Sequence, residues 1–348
     1  MPSLPTQLLI KHLPKLASKK ALIINAPESE LLSILSIESP ATDWSFFDFE
    51  YSDHREKMAF AKQVNFSAEK LTCGAWPTID SRYDLIVIFL PKSRELLEYT
   101  LTIAPTYLTP HGIVAVVGEK KSGIKSTSSA LEKYVGKILW KEPGKHSEII
   151  VASLEKSVGI FTPSFITTRV VAHDTPLTIA SLPGVFSLGE LDKGTGLLLS
   201  NLPDATPTKV LDWGCGSGVI GTCIAKKYLN TTVDLVDSNT LAVASTKETL
   251  RVNRVTNARV FASDIFSDVT ATYDLIVSNP PFHDGIKTSY DATYTFFKDA
   301  PKRLAPGGKL LIVANAFLPY QKVLTEIFGN CRIVAENPQF KVLESIQG

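Results

Sequence analysis

The chain has 348 residues, 44% hydrophobic and 20% charged, with a formal net charge of +1; this is the composition of an ordinary globular protein long enough for two domains. That balance excludes a uniformly basic nucleic-acid binder, so any RNA contact must come from a local basic surface. No apolar run approaches the ~18 residues of a membrane span, and the start "MPSLPTQLLIKHLPK" lacks the apolar core of a secretory signal. Cys73, Cys215, Cys223 and Cys331 follow no CxxC or Cys/His ligand spacing, which predicts reduced thiols in a cytoplasmic protein with no metal and no membrane.

In chain order, the first predicted strand is "ALIINAPES" from Ala21, the next ends "WSFFDFE" at Asp48, and then come "YDLIVIFLPKSR" from Tyr83 and "YLTPHGIVAVVG" around Pro110. After an interruption at "SVGIFTPSF", where Gly, Pro and Ser break the pattern, the series begins again. "VLDWGCGSG" starts at Val210, "VDLVD" ends at Asp237, "YDLIVSNPPFHDG" starts at Tyr273, 190 residues after Tyr83, and "RLAPGGKLLIVAN" follows around Pro306. Landmarks in the same order at a nearly fixed offset predict an internal duplication. Strands such as "KVLDWG", "TVDLVD", "ARVFASD" and "KLLIVAN" alternate with helical segments such as "VIGTCIAKKYL". The fold class expected is α/β: two tandem Rossmann-like domains, doubly wound with mostly parallel sheets, over 1–160 and 161–348. Ligands of such sheets bind outside the carboxyl ends of the strands.

Gly214, Gly216 and Gly218 stand between a strand and a helix, where they permit a tight turn and close approach of a ligand to the backbone. Gly216, Gly218 and Gly221 also satisfy the dinucleotide fingerprint, and Asp237 ends the next strand, so a nicotinamide and an adenosyl cofactor are both open at this point. Asp212 tilts the balance, because a carboxylate is unwelcome beside a phosphate but suits a cationic amino-acid moiety. Asp264, ending "FASD", is placed to accept from an adenine amino group; for either Asp a helix cap or a solvated turn is the plainer alternative.

Asn279, Pro280, Pro281 and Phe282 close the fourth strand and have no use in a dehydrogenase. They suit methyl transfer to a conjugated exocyclic amine. The Asn279 carboxamide oxygen and the Pro280 carbonyl can each accept one N–H, the prolines fix the backbone, and Phe282 offers a flat face worth ~1–3 kcal/mol per stacked base.

With these motifs on the page, the second half resembles the S-adenosylmethionine-dependent class I methyltransferases of the N-methylating type. "LPGVFS", "LDKGTGLLLS", "SNPPFHDG" and "VANAFLPY" are similar to the bacterial small-subunit ribosomal RNA guanine-N2 methyltransferase C family. The resemblance implies S-adenosylmethionine as cofactor and methylation of a guanine 2-amino group in small ribosomal subunits, with a first domain that supports folding and RNA positioning. It implies Asn279 to Phe282 at the substrate amine and base, and Asp212, Gly214, Gly216, Gly218, Asp237, Asp264 and Asn279 around the cofactor. Asp192, in "LDKGTG", is implied to close over the methionine end. In the first copy Asn25, Pro27 and Ser29 replace the glycines, Gly74 replaces Asp264, and Phe89 to Lys92 replace Asn279 to Phe282. That copy is expected neither to bind the cofactor nor to catalyse.

For RNA contact the candidates are His283, Lys287, Arg251 and Arg254, although such charges more often form a solvated helix face. The partner expected is small-subunit ribosomal RNA within the small subunit, approached by a monomer. Competing readings are a large-subunit guanine methyltransferase, a protein glutamine methyltransferase, a nicotinamide-dependent oxidoreductase, and an inactive RNA-binding assembly factor.

Overall fold

Each apolar run that recurs 189 or 190 residues later is a strand, and the strands assemble twice into one topology. The computed structural model describes residues 2–78, 82–155, 159, 161–185, 191–281 and 287–348, the side chains of 287–290 excepted. The chain divides into two compact units, Met1–Pro163 and Ser164–Gly348.

In the first unit the strands are β1 (Lys20–Ile24), β2 (Asp43–Asp48), β3 (Leu71–Cys73), β4 (Tyr83–Phe89), β5 (Leu108–Glu119), β6 (Ile138–Pro143) and β7 (Ser147–Ser153). Its helices are α1 (Leu4–His12), α2 (Leu31–Glu38), α3 (Tyr51–Val64), α4 (Arg94–Ile103) and α5 (Thr127–Tyr134). The sheet order is β3-β2-β1-β4-β5-β7-β6, parallel through β5 with β7 antiparallel to both neighbours.

The second unit opens with a hairpin, β8 (Ile166–Ala172) and β9 (Thr175–Ser181), and then α6 (Lys193–Leu199). Its main sheet contains β10 (Lys209–Trp213), β11 (Thr232–Asp237), β12 (Ala258–Ala262), β13 (Tyr273–Ser278), β14 (Leu304–Asn315), β15 (Arg332–Glu336) and β16 (Phe340–Ile346). Helices α7 (Val219–Lys227), α8 (Thr240–Val252), α9 (Lys287–Asp299) and α10 (Tyr320–Phe328) fall between those strands. The order β12-β11-β10-β13-β14-β16-β15 repeats the first sheet strand for strand. Small devices repeat too. Asp84 accepts hydrogen bonds from the Lys19 and Lys20 amides at the start of β1, and Asp274 accepts from Thr208 and Lys209 at the start of β10.

Strand β14 shows why these runs read as nearly continuous apolar segments. Leu310, Ile312 and Ala314 enter the hydrophobic cluster on one face of the sheet, while Leu311 and Val313 enter the cluster on the other. Successive side chains point to opposite faces, and both faces are covered.

The hairpin is held by a polar seam that hydrophobic periodicity does not reveal. The amides of Thr178, Ala180 and Leu182 donate to Asn253, Thr249 and Ser245 of α8 and its C-terminal cap. Two residues of strand rise ~6.6 Å and four of helix rise ~6 Å, so every second strand amide meets every fourth helical side chain. This satisfies the strand edge without another strand.

Candidate functional site at the carboxyl edge of the second sheet

The strand order reverses between β10 and β13, which opens a crevice at their carboxyl ends. Just beyond β10, Gly214, Gly216 and Gly218 adopt φ of 69°, 55° and 81°, in the left-handed region that favours glycine. The Gly214 and Cys215 amides both donate to the Val236 carbonyl, which fixes the turn against β11. The glycines then divide into two kinds. A Cβ on Gly214 or Gly216 would meet open space, whereas one on Gly218 would lie 2.8 Å from Thr246 Cγ2 and one on Gly221 2.3 Å from Leu235 Cδ2. The first pair leaves the backbone bare toward the crevice, and the second lets the loop and α7 pack closely on α8 and on β11.

Asp237 ends β11 and binds the glycine turn: its Oδ2 accepts from the Gly216 amide at 2.9 Å and its Oδ1 from the Asn239 amide at 2.9 Å. Burial raises its pKa, and the amide donors of Asn239, Gly216 and Ser238 work against that rise. Asp212 is fully buried in β10. Its Oδ2 accepts from the Gly221 amide at 2.8 Å, a cap for the first turn of α7. Its Oδ1 has no partner among the described residues. Burial pushes the acid up to about 7, opposed by the Gly221 bond and assisted by the nearby Asp237 charge. The Cys215 thiol, also buried, is pushed well above its ordinary value, so it is no nucleophile. Asp264 follows β12 at the same edge, with its amide bound to Ser267 Oγ.

At the end of β13, Ser278 Oγ donates to the Trp213 carbonyl and ties the two strand ends together at 2.8 Å. Asn279 comes next. Its Nδ2 donates to Asp192 Oδ2 and to Thr195 Oγ1, each at 3.0 Å. Asp192 caps α6 through the Thr195 amide with the same oxygen. Both amide hydrogens of Asn279 are therefore taken, and this network sets which way round the carboxamide sits. The remaining Oδ1 is buried and has no partner among the described residues. Pro280 is buried and Pro281 exposed.

The structure thus gathers Asp192, Asp212, Gly214, Gly216, Asp237, Asp264 and Asn279 at one edge. Gly218 packs on α8 instead. Asp192 bonds directly to Asn279, a link that the sequence reading did not contain. Phe282 and His283 lie outside the described residues, as does the side chain of Lys287 at the start of α9. Arg251 and Arg254 do not join the site. Helix α8 runs back from Asp237, so its last turn stands at the amino edge of the sheet, where Arg251 pairs with Glu248 at 2.6 Å. Thr195 was missed, although its place three residues after Asp192 is the spacing of an N-terminal cap. Among the described residues, no three His, Cys, Asp or Glu side chains are grouped to hold a metal ion, and no helix is long and apolar enough to cross a membrane.

Fold and edge together define a pair of Rossmann-like domains of the methyltransferase type. The family model "Methyltransferase small domain" matches residues 176–344, and "Methyltransferase small domain N-terminal" matches 6–168. The chain belongs to the ribosomal RNA small subunit methyltransferase C family. It is 38% identical to the member from Psychromonas ingrahamii over 344 residues, covering 98% of this chain and 96% of that one. It is 35% identical to the Colwellia psychrerythraea protein, covering 97% and 96%. Among solved structures, the T. thermophilus 16S rRNA N2 methyltransferase in complex with AdoMet and guanosine shares the fold, with a TM-score of 0.80, 24% identity and coverage of 98% and 92%.

Proposed function

We propose that this chain transfers a methyl group from S-adenosylmethionine to the exocyclic N2 of a guanine in small-subunit ribosomal RNA. The observation that carries the reading is the Asn279 carboxamide, held by Asp192 and Thr195 with its buried Oδ1 left to accept. A guanine 2-amino group is conjugated with its ring and therefore a weak nucleophile. Accepting one N–H at Asn279 Oδ1 and the other at the Pro280 carbonyl draws the amine out of the ring plane and turns its lone pair toward the electrophile. Both acceptors follow directly on β13, and Asn279 is held by Asp192 and Thr195, so little reorganisation accompanies the reaction.

The residues present fit the cofactor. The backbone bare at Gly214 and Gly216 would lie along it, Asp237 would accept its ribose hydroxyls, and Asp264 its adenine amine. The unpartnered Oδ1 of Asp212 suits its ammonium group. When bound, S-adenosylmethionine supplies a methyl already activated on a sulfonium. No side chain need act as a base before transfer. The acceptor guanine must be unstacked to reach Asn279, and Phe282 would then cover its face.

We assign catalysis to 161–348 and a supporting role in folding and RNA positioning to 1–160. In the first unit Asn25 keeps the left-handed turn of Gly214, with φ of 57° and its amide on the Phe47 carbonyl. Asp48, the counterpart of Asp237, is buried against Lys57 at 2.9 Å. Lys57 occupies the helical position of Thr246, so an ammonium from the first unit's own α3 covers the carboxylate that a ribose would need. The four unpaired cysteines suit the reducing compartment in which ribosomes are assembled.

The test is tritium transfer from methyl-labelled S-adenosylmethionine to unmethylated small subunits, with large subunits, free ribosomal RNA and Asn279→Ala alongside. N2-methylguanosine recovered from small-subunit RNA, and lost in the variant, is the expected result. Label confined to protein or to large subunits overturns the substrate assignment.

A further inference from the structure

One strand over from Asn279, the carboxyl end of β14 carries a feature that methyl transfer leaves without a role. Asn315 to Leu318 form a tight turn, closed by the Leu318 amide on the Asn315 carbonyl at 3.0 Å and anchored by the Ala316 amide on the Gln339 carbonyl at 2.8 Å. Phe317 projects from it, 67% exposed, and among the described residues it is the only phenylalanine exposed to that degree. The turn borders a cavity of about 310 Å³ lined by Asn315, Phe317, Leu318, Gln321, Lys322 and Lys341, among others. The lining contains two lysines and no carboxylate. Lys309 and Arg332 share Glu344 nearby, yet neither Lys322 nor Lys341 has an ion-pair partner among the described residues.

Register sets the distance. Ser278 pairs with Ile312, so Asn279 stands beside Val313, two residues before Asn315. Strand spacing and rise put the turn roughly 8 Å from Asn279, a step suited to the neighbouring nucleotide of an unstacked strand. An exposed ring flanked by cations is how proteins hold single-stranded nucleic acid: the ring takes a base and the ammonium groups take phosphate.

We propose that this cavity binds a nucleotide adjacent to the acceptor guanine. Its base stacks on Phe317, its phosphate lies between Lys322 and Lys341, and the Asn315 and Gln321 amides face the base edge. The inference rests on the methyl-transfer reading, and the experiment separates the two. Unmethylated small subunits are titrated against Phe317→Ala, Phe317→Tyr and Lys322→Ala in the full chain. Phe317→Ala is expected to raise KM for subunits about 5- to 150-fold with kcat held within about twofold, while Phe317→Tyr stays near the parent. Lys322→Ala is expected to reduce the slope of log affinity against log salt by about one. Independently, ultraviolet crosslinking of the parent protein to subunits, followed by mass spectrometry of the peptide spanning 315–322, is expected to yield a nucleotide adduct. An unchanged KM in Phe317→Ala overturns the proposal, and so does an adduct with ribosomal protein instead of RNA. A nucleotide adduct without methyl transfer by the parent would sustain the subsite and refute the reaction assigned above.

Discussion

Replacing Lys57 by Met leaves Asp48 buried in the first unit without its ammonium. Both side chains are only 3% exposed and 2.9 Å apart. In the parent protein burial raises the Asp48 acid to about 6 from 3.8, with Lys57 opposing the rise. At ~1.36 kcal/mol per pKa unit, keeping that carboxylate ionised costs the fold about 3 kcal/mol at pH 8. Without Lys57 the cost is capped by protonation, at about 6 kcal/mol at pH 8 relative to an unfolded acid near 3.8. The variant should therefore lose up to about 3 kcal/mol at pH 8, in line with other broken buried pairs.

The sign follows from a raised native pKa. The contribution is fully present below pH 4 and is lost as pH rises through the native value, and removing Lys57 moves that value higher. Parent and variant should thus converge by pH 5 and diverge toward pH 8. Urea unfolding followed by tryptophan fluorescence reads the gap, since Trp44, Trp76 and Trp140 lie in the first unit. Lys57→Met combined with Asp48→Asn should recover most of the loss at pH 8. Cofactor affinity should not move in either variant. A gap equal at both pH values, or below ~1 kcal/mol at pH 8, would refute the argument that Lys57 neutralises a buried carboxylate.

Asp192→Asn keeps the α6 cap but removes the charge that orients Asn279. The difference between a charged and a neutral bond, ~1 kcal/mol, corresponds to about fivefold in kcat, with S-adenosylhomocysteine affinity within twofold by calorimetry. Weakened cofactor binding with intact kcat would return Asp192 to the methionine end. Asp212→Asn should raise Tm relative to the parent at pH 8, because the buried acid is pushed up to about 7 and its ionisation opposes folding. That advantage should shrink as pH falls from 7 toward 4, while cofactor affinity at pH 8 drops; a pH-independent shift in Tm would contradict the assignment. Gly216→Ala and Gly218→Ala both meet a left-handed φ costing ~1–3 kcal/mol. Only Gly218→Ala adds a collision with Thr246, so it should unfold at lower urea, whereas Gly216→Ala should chiefly lose cofactor affinity. The reverse ranking would undo the division of the glycines.

The doubling of the chain, the strand runs and the motifs at the strand ends were legible in the amino-acid order because they are local. A strand covered on both faces has to be apolar through its centre, as Leu275–Val277 of β13 and Leu310–Ala314 of β14 are, and a turn at positive φ favours glycine or, as at position 25, asparagine. Asn279-Pro280-Pro281-Phe282 carried the chemistry for the same reason, since its donors and acceptors lie within four consecutive residues. Local pattern did not reveal the hairpin Ile166–Ser181, whose polar seam to α8 has no hydrophobic period, nor the antiparallel strand β16, which pairs with both β14 and β15.

Tertiary structure alone decided how the groups meet. Asp192 and Asn279 are 87 residues apart, yet share a hydrogen bond that sets which atom of the carboxamide is free. Arg251 and Arg254 look close to the site along the chain but belong to the opposite edge, because a crossover helix returns to the start of the next strand. Lys57 and Asp48 read as an ordinary lysine and a strand-end aspartate shared by the two copies until the fold buries them together. Sequence determines which chemistry is carried and on which elements. Contact between elements determines orientation, protonation and vacancy, because those depend on neighbours that chain order does not record.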